Sequence, residues 1–344
     1  MVSLDFLRLI LGFPLLPNWN DLQLWVPNCL ANLENLRELH LTDSQLNGTI
    51  GNLSMFHVLD VSRNQLSGML PENIGNLSML HELDVSYNNL RGMVTVAVFA
   101  RLVNLESLNL SRNLFVLNFP PWIKTQWRLQ YLDLRNASIS GTLPSWFCDI
   151  SCHITKLIRH ATAVDLSSNL FKGPIPILPI EWDTLGNLSM LREVYVFDNN
   201  LRRMVAEAIF ARLVNFETLY LSHNLLVLNV SHDWVPPFQL YHLVLGSLPL
   251  RTGFPPWIKT QWILQYLDLC NASISGILPS WFCDISFHII QPDRSNNGIQ
   301  GQSSSNLFKG PIPVLVPEVM DLNLSNNQLF GYIPANIGQI MFNL

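Results

Sequence analysis

Charge is scarce in this chain of 344 residues: only 13% are Asp, Glu, Lys or Arg, and the formal net charge is −5. No basic run occurs, which argues against a nucleic-acid partner. The shortage of charge does not signal disorder, because 49% of the residues are apolar. Cysteine is rare as well. Cys29, Cys148, Cys152, Cys270 and Cys283 are odd in number, irregularly spaced and without a CxxC pair, so they do not make a disulfide framework. They read as small buried apolar side chains. No stretch is long and apolar enough for a membrane span, since residues 1–17 are broken by Asp5, Arg8, Pro14 and Pro17. With Arg8 placed after Asp5, the same segment makes a poor signal peptide. No nucleotide loop, HExxH or GxSxG is found, and the nine histidines are scattered. The sequence therefore predicts no catalytic site, no metal and no cofactor.

Leucine is abundant, at 61 residues, and it is periodic. The phrase LxxLxLxxNxLxG occurs at 56–68 as FHVLDVSRNQLSG, at 80–92 as LHELDVSYNNLRG and at 319–331 as VMDLNLSNNQLFG. Looser copies begin at Leu36, Leu105, Leu129, Ala161, Leu191, Phe216, Leu240 and Leu264, with a degenerate one near Gly298. Starts fall 24 or 25 residues apart where the array is regular. Repeats of this length stack as a solenoid. Alternation within the phrase puts Leu83 and Val85 inward and Glu82 and Asp84 outward on a short strand. The Asn of each phrase (Asn64, Asn88, Asn113, Asn169, Asn199, Asn224, Asn327) sits where the chain leaves the sheet. Its amide is placed to satisfy backbone groups of its own and the adjacent repeat. Ser44, Ala137, Leu248 and Ala272 replace it, which predicts gaps in that ladder. The following Gly allows a backbone conformation that larger residues resist.

After the Gly comes a second signature: GMLPENIGNLSML at 68–80, GTLPSW at 141–146, GPIP at 173–176 and 310–313, and GYIPANIG at 331–338. This segment resembles the plant extracellular subclass of leucine-rich repeats. NLSML, VSHDWVPPFQL (230–240), FPPWIKTQW (254–262) and LQYLDLCNASISGILPSWF (264–282) narrow the resemblance. They are similar to plant receptor-like proteins of the ethylene-inducing-xylanase receptor type. The resemblance implies an α/β-type repeat solenoid, a right-handed superhelix with one parallel β-sheet on its concave face. Residues 1–35 would be an irregular N-terminal segment, and 36–344 an array of about 12 repeats. The function implied is a non-catalytic ectodomain that binds a protein or peptide in plant defence or signalling, with a partner kinase as co-receptor. Its place would be the outer face of the plasma membrane or the apoplast. Two other expectations stand beside it: a soluble inhibitor similar to the polygalacturonase-inhibiting proteins, and a non-signalling truncated paralogue. Neither cap cysteines nor a membrane helix appear in the sequence, so a truncated ectodomain is expected.

The array contains an internal duplication, 75–178 against 186–315. Residues 75–118 match 186–229 with 14 of 44 positions changed, and seven of those changes fall on outward positions, including Asp84 to Tyr195 and Asn109 to Tyr220. Residues 119–151 match 254–286 with three changes, of which only Arg135 to Cys270 is outward. The second copy also has an extra repeat around Leu240 to Gly253. Asp60, Asp84, Asp133, Asp165, Asp268 and Asp321 are all expected to face outward, with Tyr131, Tyr195, Tyr220 and Tyr266, and Tyr241 beside them. The candidate ligand-binding residues are Tyr131, Tyr195, Tyr220, Tyr241, Tyr266, Asp84 and Asp268. The tyrosines are the stronger candidates, because Asp in the LDLS phrase also serves as framework. Nine N-x-S/T sequons occur. Asn76 and Asn187 are the first candidates for glycosylation, followed by Asn47, Asn52, Asn136, Asn229 and Asn271. Asn109 and Asn323 fall on the outward strand face, where a glycan would obstruct binding.

Overall fold

A computed structural model describes residues 37–50, 56–94, 96–118, 122–123, 126, 128–143, 162–175, 191–211, 213–250, 254–277 and 307–310, with 279, 281, 328–329 and 332. It is a solenoid of parallel strands, built in two compact units, Met1–Phe171 and Lys172–Leu344. The 1–35 segment, the 295–305 stretch and Asn327 lie outside the described residues.

In the first unit each repeat contributes one three-residue strand to a parallel sheet: Glu38–His40, Val58–Asp60, Glu82–Asp84, Ser107–Asn109, Tyr131–Asp133 and Ala163–Asp165. The register is continuous, Glu38 to Val58 to Glu82 to Ser107 to Tyr131 to Ala163. In the second unit Glu193–Tyr195, Thr218–Tyr220, His242–Val244 and Tyr266–Asp268 pair in the same way. The middle residue of each first-unit strand points into the core, where Leu39, Leu59, Leu83, Leu108 and Leu132 are buried. The residue just after the strand joins them, as at Leu41, Val61, Val85, Leu110 and Leu134. Burying one such side chain fully stabilises by about 1.5–3 kcal/mol. The return legs use single helical turns, such as the 3-10 turns Glu72–Asn76 and Pro256–Thr260 and the four-residue helix Val96–Phe99. Phe99 and Trp122 stack there at 4.0 Å between ring centroids.

The asparagine ladder forms as the sequence predicts. Asn88 Oδ1 accepts the amide of Leu66 at 2.9 Å, and Nδ2 donates to the carbonyls of Val61, Val85 and Ser86. Asn64, Asn113, Asn169 and Asn224 make the same pattern with their own and the preceding repeat. All five are buried. Where Ala272 replaces Asn, its backbone carbonyl takes the Leu250 amide at 2.8 Å instead. The gap costs side-chain bonds but leaves that donor satisfied.

The turn glycines Gly68, Gly92, Gly141 and Gly173 all have φ between 81° and 100°. At Gly92 a Cβ would approach Met69 Cγ to 2.9 Å. The duplicate position is Arg203, held at φ 103°. An L side chain is strained in that region. Asn88→Ala should lower stability by at least about 3 kcal/mol, since it strands several buried backbone groups. Ser67→Ala, at a half-buried position nearby, should stay within about 0.5 kcal/mol. Urea unfolding followed by far-ultraviolet circular dichroism measures both; equal midpoints would remove the ladder from its structural role.

Candidate binding face

Each three-residue strand presents its first and third residues on the face away from the core. In the second unit this makes two columns across four strands. One runs Glu193, Thr218, His242, Tyr266, and the other Tyr195, Tyr220, Val244, Asp268. Tyr195 and Tyr220 meet edge to face at 4.9 Å between centroids. Phe197 lies 6.2 Å from Tyr220, Tyr220 lies 6.5 Å from His242, and His242 lies 6.2 Å from Tyr266. The structure thus brings Tyr195, Tyr220 and Tyr266 into one chain of aromatic contacts, with His242 as the link. His242 and Phe197 were not among the sequence candidates. The bridging role of His242 depends on strand register, which one repeat phrase does not reveal. Tyr241, 36% exposed, precedes its strand rather than standing in either column, and its carbonyl accepts the amides of Gln265 and Tyr266.

Polar contacts hold these rings in place. Tyr195 Oη donates to Glu193 Oε2 at 3.0 Å, and Thr218 Oγ1 shares a hydrogen bond with His242 Nδ1 at 3.3 Å. Arg192 pairs with Glu217 at 2.8 Å along one margin. Burial raises the Tyr220 hydroxyl pKa, and the carboxylates of Asp268 and Glu193 raise it further, so the ring stays neutral.

On the corresponding face of the first unit, the column of third strand residues is paired with neighbouring side chains. Asp60 Oδ2 accepts from Thr42 at 2.6 Å, and Asp84 Oδ2 accepts from Asn109 at 3.0 Å. Arg135 reaches both Asp133, at 3.3 Å, and Asp165, at 3.7 Å. Tyr87 is flanked by the guanidinium groups of Arg63 and Arg112, at 5.3 and 4.8 Å from its ring centroid. Tyr131, 38% exposed, leans its hydroxyl toward Asp133 Oδ2 at 3.4 Å. The expectation that every strand Asp is exposed needs correction: Asp133 is 1% and Asp165 8% exposed. Both stand in the outward column, but neighbouring side chains roof them. Each strand Asp also accepts the amide two residues on, as Asp84 does from Ser86 and Asp268 from Cys270. One oxygen of these carboxylates is therefore framework.

Of the candidate glycosylation sites, Asn76, Asn136 and Asn229 are exposed, while Asn47 and Asn271 are half-buried. Asn76 Oδ1 also accepts from Arg101 at 3.1 Å. Asn52 and Asn187 lie outside the described residues. Among the described residues, no helix is long and apolar enough to cross a membrane.

Comparison with known proteins agrees with this geometry. Leucine-rich-repeat family patterns match residues 56–115, 128–150, 264–285 and 319–340. Receptor-like protein EIX2 of Solanum lycopersicum is 38% identical over 136 residues, covering 39% of this chain and 13% of that protein. Receptor-like protein 41 of Arabidopsis thaliana is 26% identical over 367 residues, covering 91% of this chain and 42% of the relative. The chain carries leucine-rich repeats and is similar to plant receptor-like proteins. It spans less than half the length of either relative. The ectodomain of the Arabidopsis receptor kinase HAESA, solved with an IDA peptide hormone, superposes with a TM-score of 0.66 at 26% identity, over 92% of this chain and 54% of that one. The structure of PEPR1 with AtPEP1 superposes with a TM-score of 0.66 at 24% identity, over 90% and 41%, which shows the shared fold.

The buried carboxylates of the leucine-rich-repeat scaffold carry a pH signature. Burial, then the neighbouring Asp165 carboxylate, raises the Asp133 pKa to about 6, and Asp84 and Asp165 are raised chiefly by burial. A pKa raised on folding contributes stability that is complete below the unfolded value and is lost as pH rises through the folded value. Asp133→Asn should therefore raise the thermal midpoint relative to wild type at pH 7.5. That advantage should fade as pH falls through about 6 toward 4. A difference independent of pH would contradict the assignment.

Proposed function

We propose that the outward strand face of residues 191–270 binds a polypeptide ligand, as the recognition surface of a receptor-like protein on the outside of the plant cell. The aromatic chain from Tyr195 through Tyr220 and His242 to Tyr266 is the observation that carries this reading. Tyrosine offers wide contact area with a polar end and few rotatable bonds, and it is enriched where proteins meet. The duplication adds support, because the second copy keeps the scaffold of the first and differs on this face. The similarity to HAESA, a receptor solved with a peptide hormone, supports a peptide as the ligand. Signalling would then pass through a partner kinase, and localisation would be the plasma membrane or the apoplast.

A random-peptide display library panned on the full chain tests the reading. Selected peptides should lose at least about thirtyfold in affinity against Tyr195→Ala with Tyr220→Ala, since truncating one interface tyrosine costs about 2 kcal/mol. The circular dichroism of that double variant should match the wild type. Affinity unchanged by the substitutions would remove the site from this face, and loss of the fold would make the tyrosines structural.

A further inference from the structure

Two repeats of the duplication supply a comparison within one molecule. Asp133 in the first copy corresponds to Asp268 in the second, and Tyr131 corresponds to Tyr266. In the first copy Arg135 brings its guanidinium to Asp133 at 3.3 Å and to Asp165 at 3.7 Å. In the second copy the Arg135 position is Cys270. Asp268 Oδ1 keeps the framework bond, accepting the Cys270 amide at 2.8 Å. Asp268 Oδ2 accepts no hydrogen bond and meets no cation among the described residues. In the first unit the third-position carboxylates Asp60, Asp84, Asp133 and Asp165 each have a side-chain partner on the second oxygen.

Asp268 is half-buried, and the inserted repeat supplies its described neighbours on one side. The repeat inserted beside it in the second copy presents Val244 and Gly246. A Cβ at Gly246 would lie 3.3 Å from both Asp268 carboxylate oxygens, so only glycine leaves them uncrowded there. Across Val244 stands Tyr220, two strands from Asp268. At about 4.8 Å per strand, the two backbones are roughly 10 Å apart, with Val244 and Gly246 between them. The Asp268 carboxylate is close enough to the Tyr220 hydroxyl to help raise its pKa. The result is a notch with an aromatic wall, a carboxylate wall and a low floor.

We propose that this notch accepts the guanidinium of an arginine side chain from a polypeptide partner, which supplies from outside the group that Arg135 supplies within the first copy. Arginine fits better than lysine, because its planar head stacks on a tyrosine face while its fork meets a carboxylate. The inference deepens the peptide-binding reading above and rests on it, by fixing the chemistry of one ligand position.

The test uses the full chain and two neutral-ended probes, N-acetyl-glycyl-arginyl-glycine amide and its citrulline counterpart, which has nearly the same shape and no charge. Their affinities are read by ligand-observed magnetic resonance titration. The arginine probe should bind more tightly, by up to about fivefold, the difference expected for one partly exposed charge pair. Asp268→Asn should abolish that preference without unfolding the chain, because Asn109 makes the same framework bond to Ser111 at the equivalent position. Cys270→Arg should abolish it too, by restoring the internal guanidinium, and should raise the thermal midpoint. Equal binding of the two probes overturns the proposal, as does no binding of either, or a preference that survives Asp268→Asn. If display-selected peptides depend on Tyr195 while the two probes bind alike, the notch alone is wrong. If the arginine preference holds and selected peptides ignore Tyr195, the notch stands and the broader aromatic site falls.

Discussion

One buried side-chain amide per repeat governs this architecture. A chain that leaves a sheet into a tight turn exposes backbone donors and acceptors to an interior without water. The Asn of LxxLxLxxN answers this by accepting an amide from the preceding repeat and donating to carbonyls of both. Because each amide bridges two repeats, the turns lock in phase and the strands fall into continuous register. Where the Asn is missing, a backbone carbonyl must substitute, as Ala272 does for Leu250.

That division of labour separates scaffold from surface. Leucines and asparagines face the interior, so outward positions can change with little effect on the fold. The duplication shows both outcomes on one framework. In the first unit the outward face is occupied by its own salt bridges, hydrogen bonds and a tyrosine between two arginines. In the second unit tyrosines replace Asp84 and Asn109, and cysteine replaces Arg135. The paired groups are thereby exchanged for rings in contact and an acid that meets no cation among the described residues. A surface already paired with itself offers little to a ligand, because binding would have to break those contacts first.

Much of this was legible in the sequence. The repeat phrase located the strands, the inward leucines and the asparagine ladder, and alternation put Tyr195, Tyr220 and Tyr266 on the outward face. Pairing between side chains of different repeats was not legible. Asp133 and Asp165 have the same LDLS context as exposed acids, and their burial comes from Arg135 and Tyr131 folding over them. His242 looks like an isolated histidine until register places it between Tyr220 and Tyr266. Gln261, within a phrase that served only as a marker of resemblance, is buried and accepts the Leu240 amide at 2.9 Å. Arg203, at a position held by glycine in most repeats, has a positive φ that repeat logic argues against, and its contacts do not explain it.

Recognition belongs to the second unit's outward columns, while the first unit's matching column of third strand residues is self-paired. A scan of single substitutions at every outward strand position, scored for binding of one display-selected peptide and for folded yield, tests it most directly. The account predicts that binding without loss of yield is sensitive at Glu193, Tyr195, Tyr220, His242, Tyr266 and Asp268, and tolerant at Asp60, Asp84 and Asn109. Sensitivity concentrated on the first unit's face, or spread over positions that do not share a column, would contradict it.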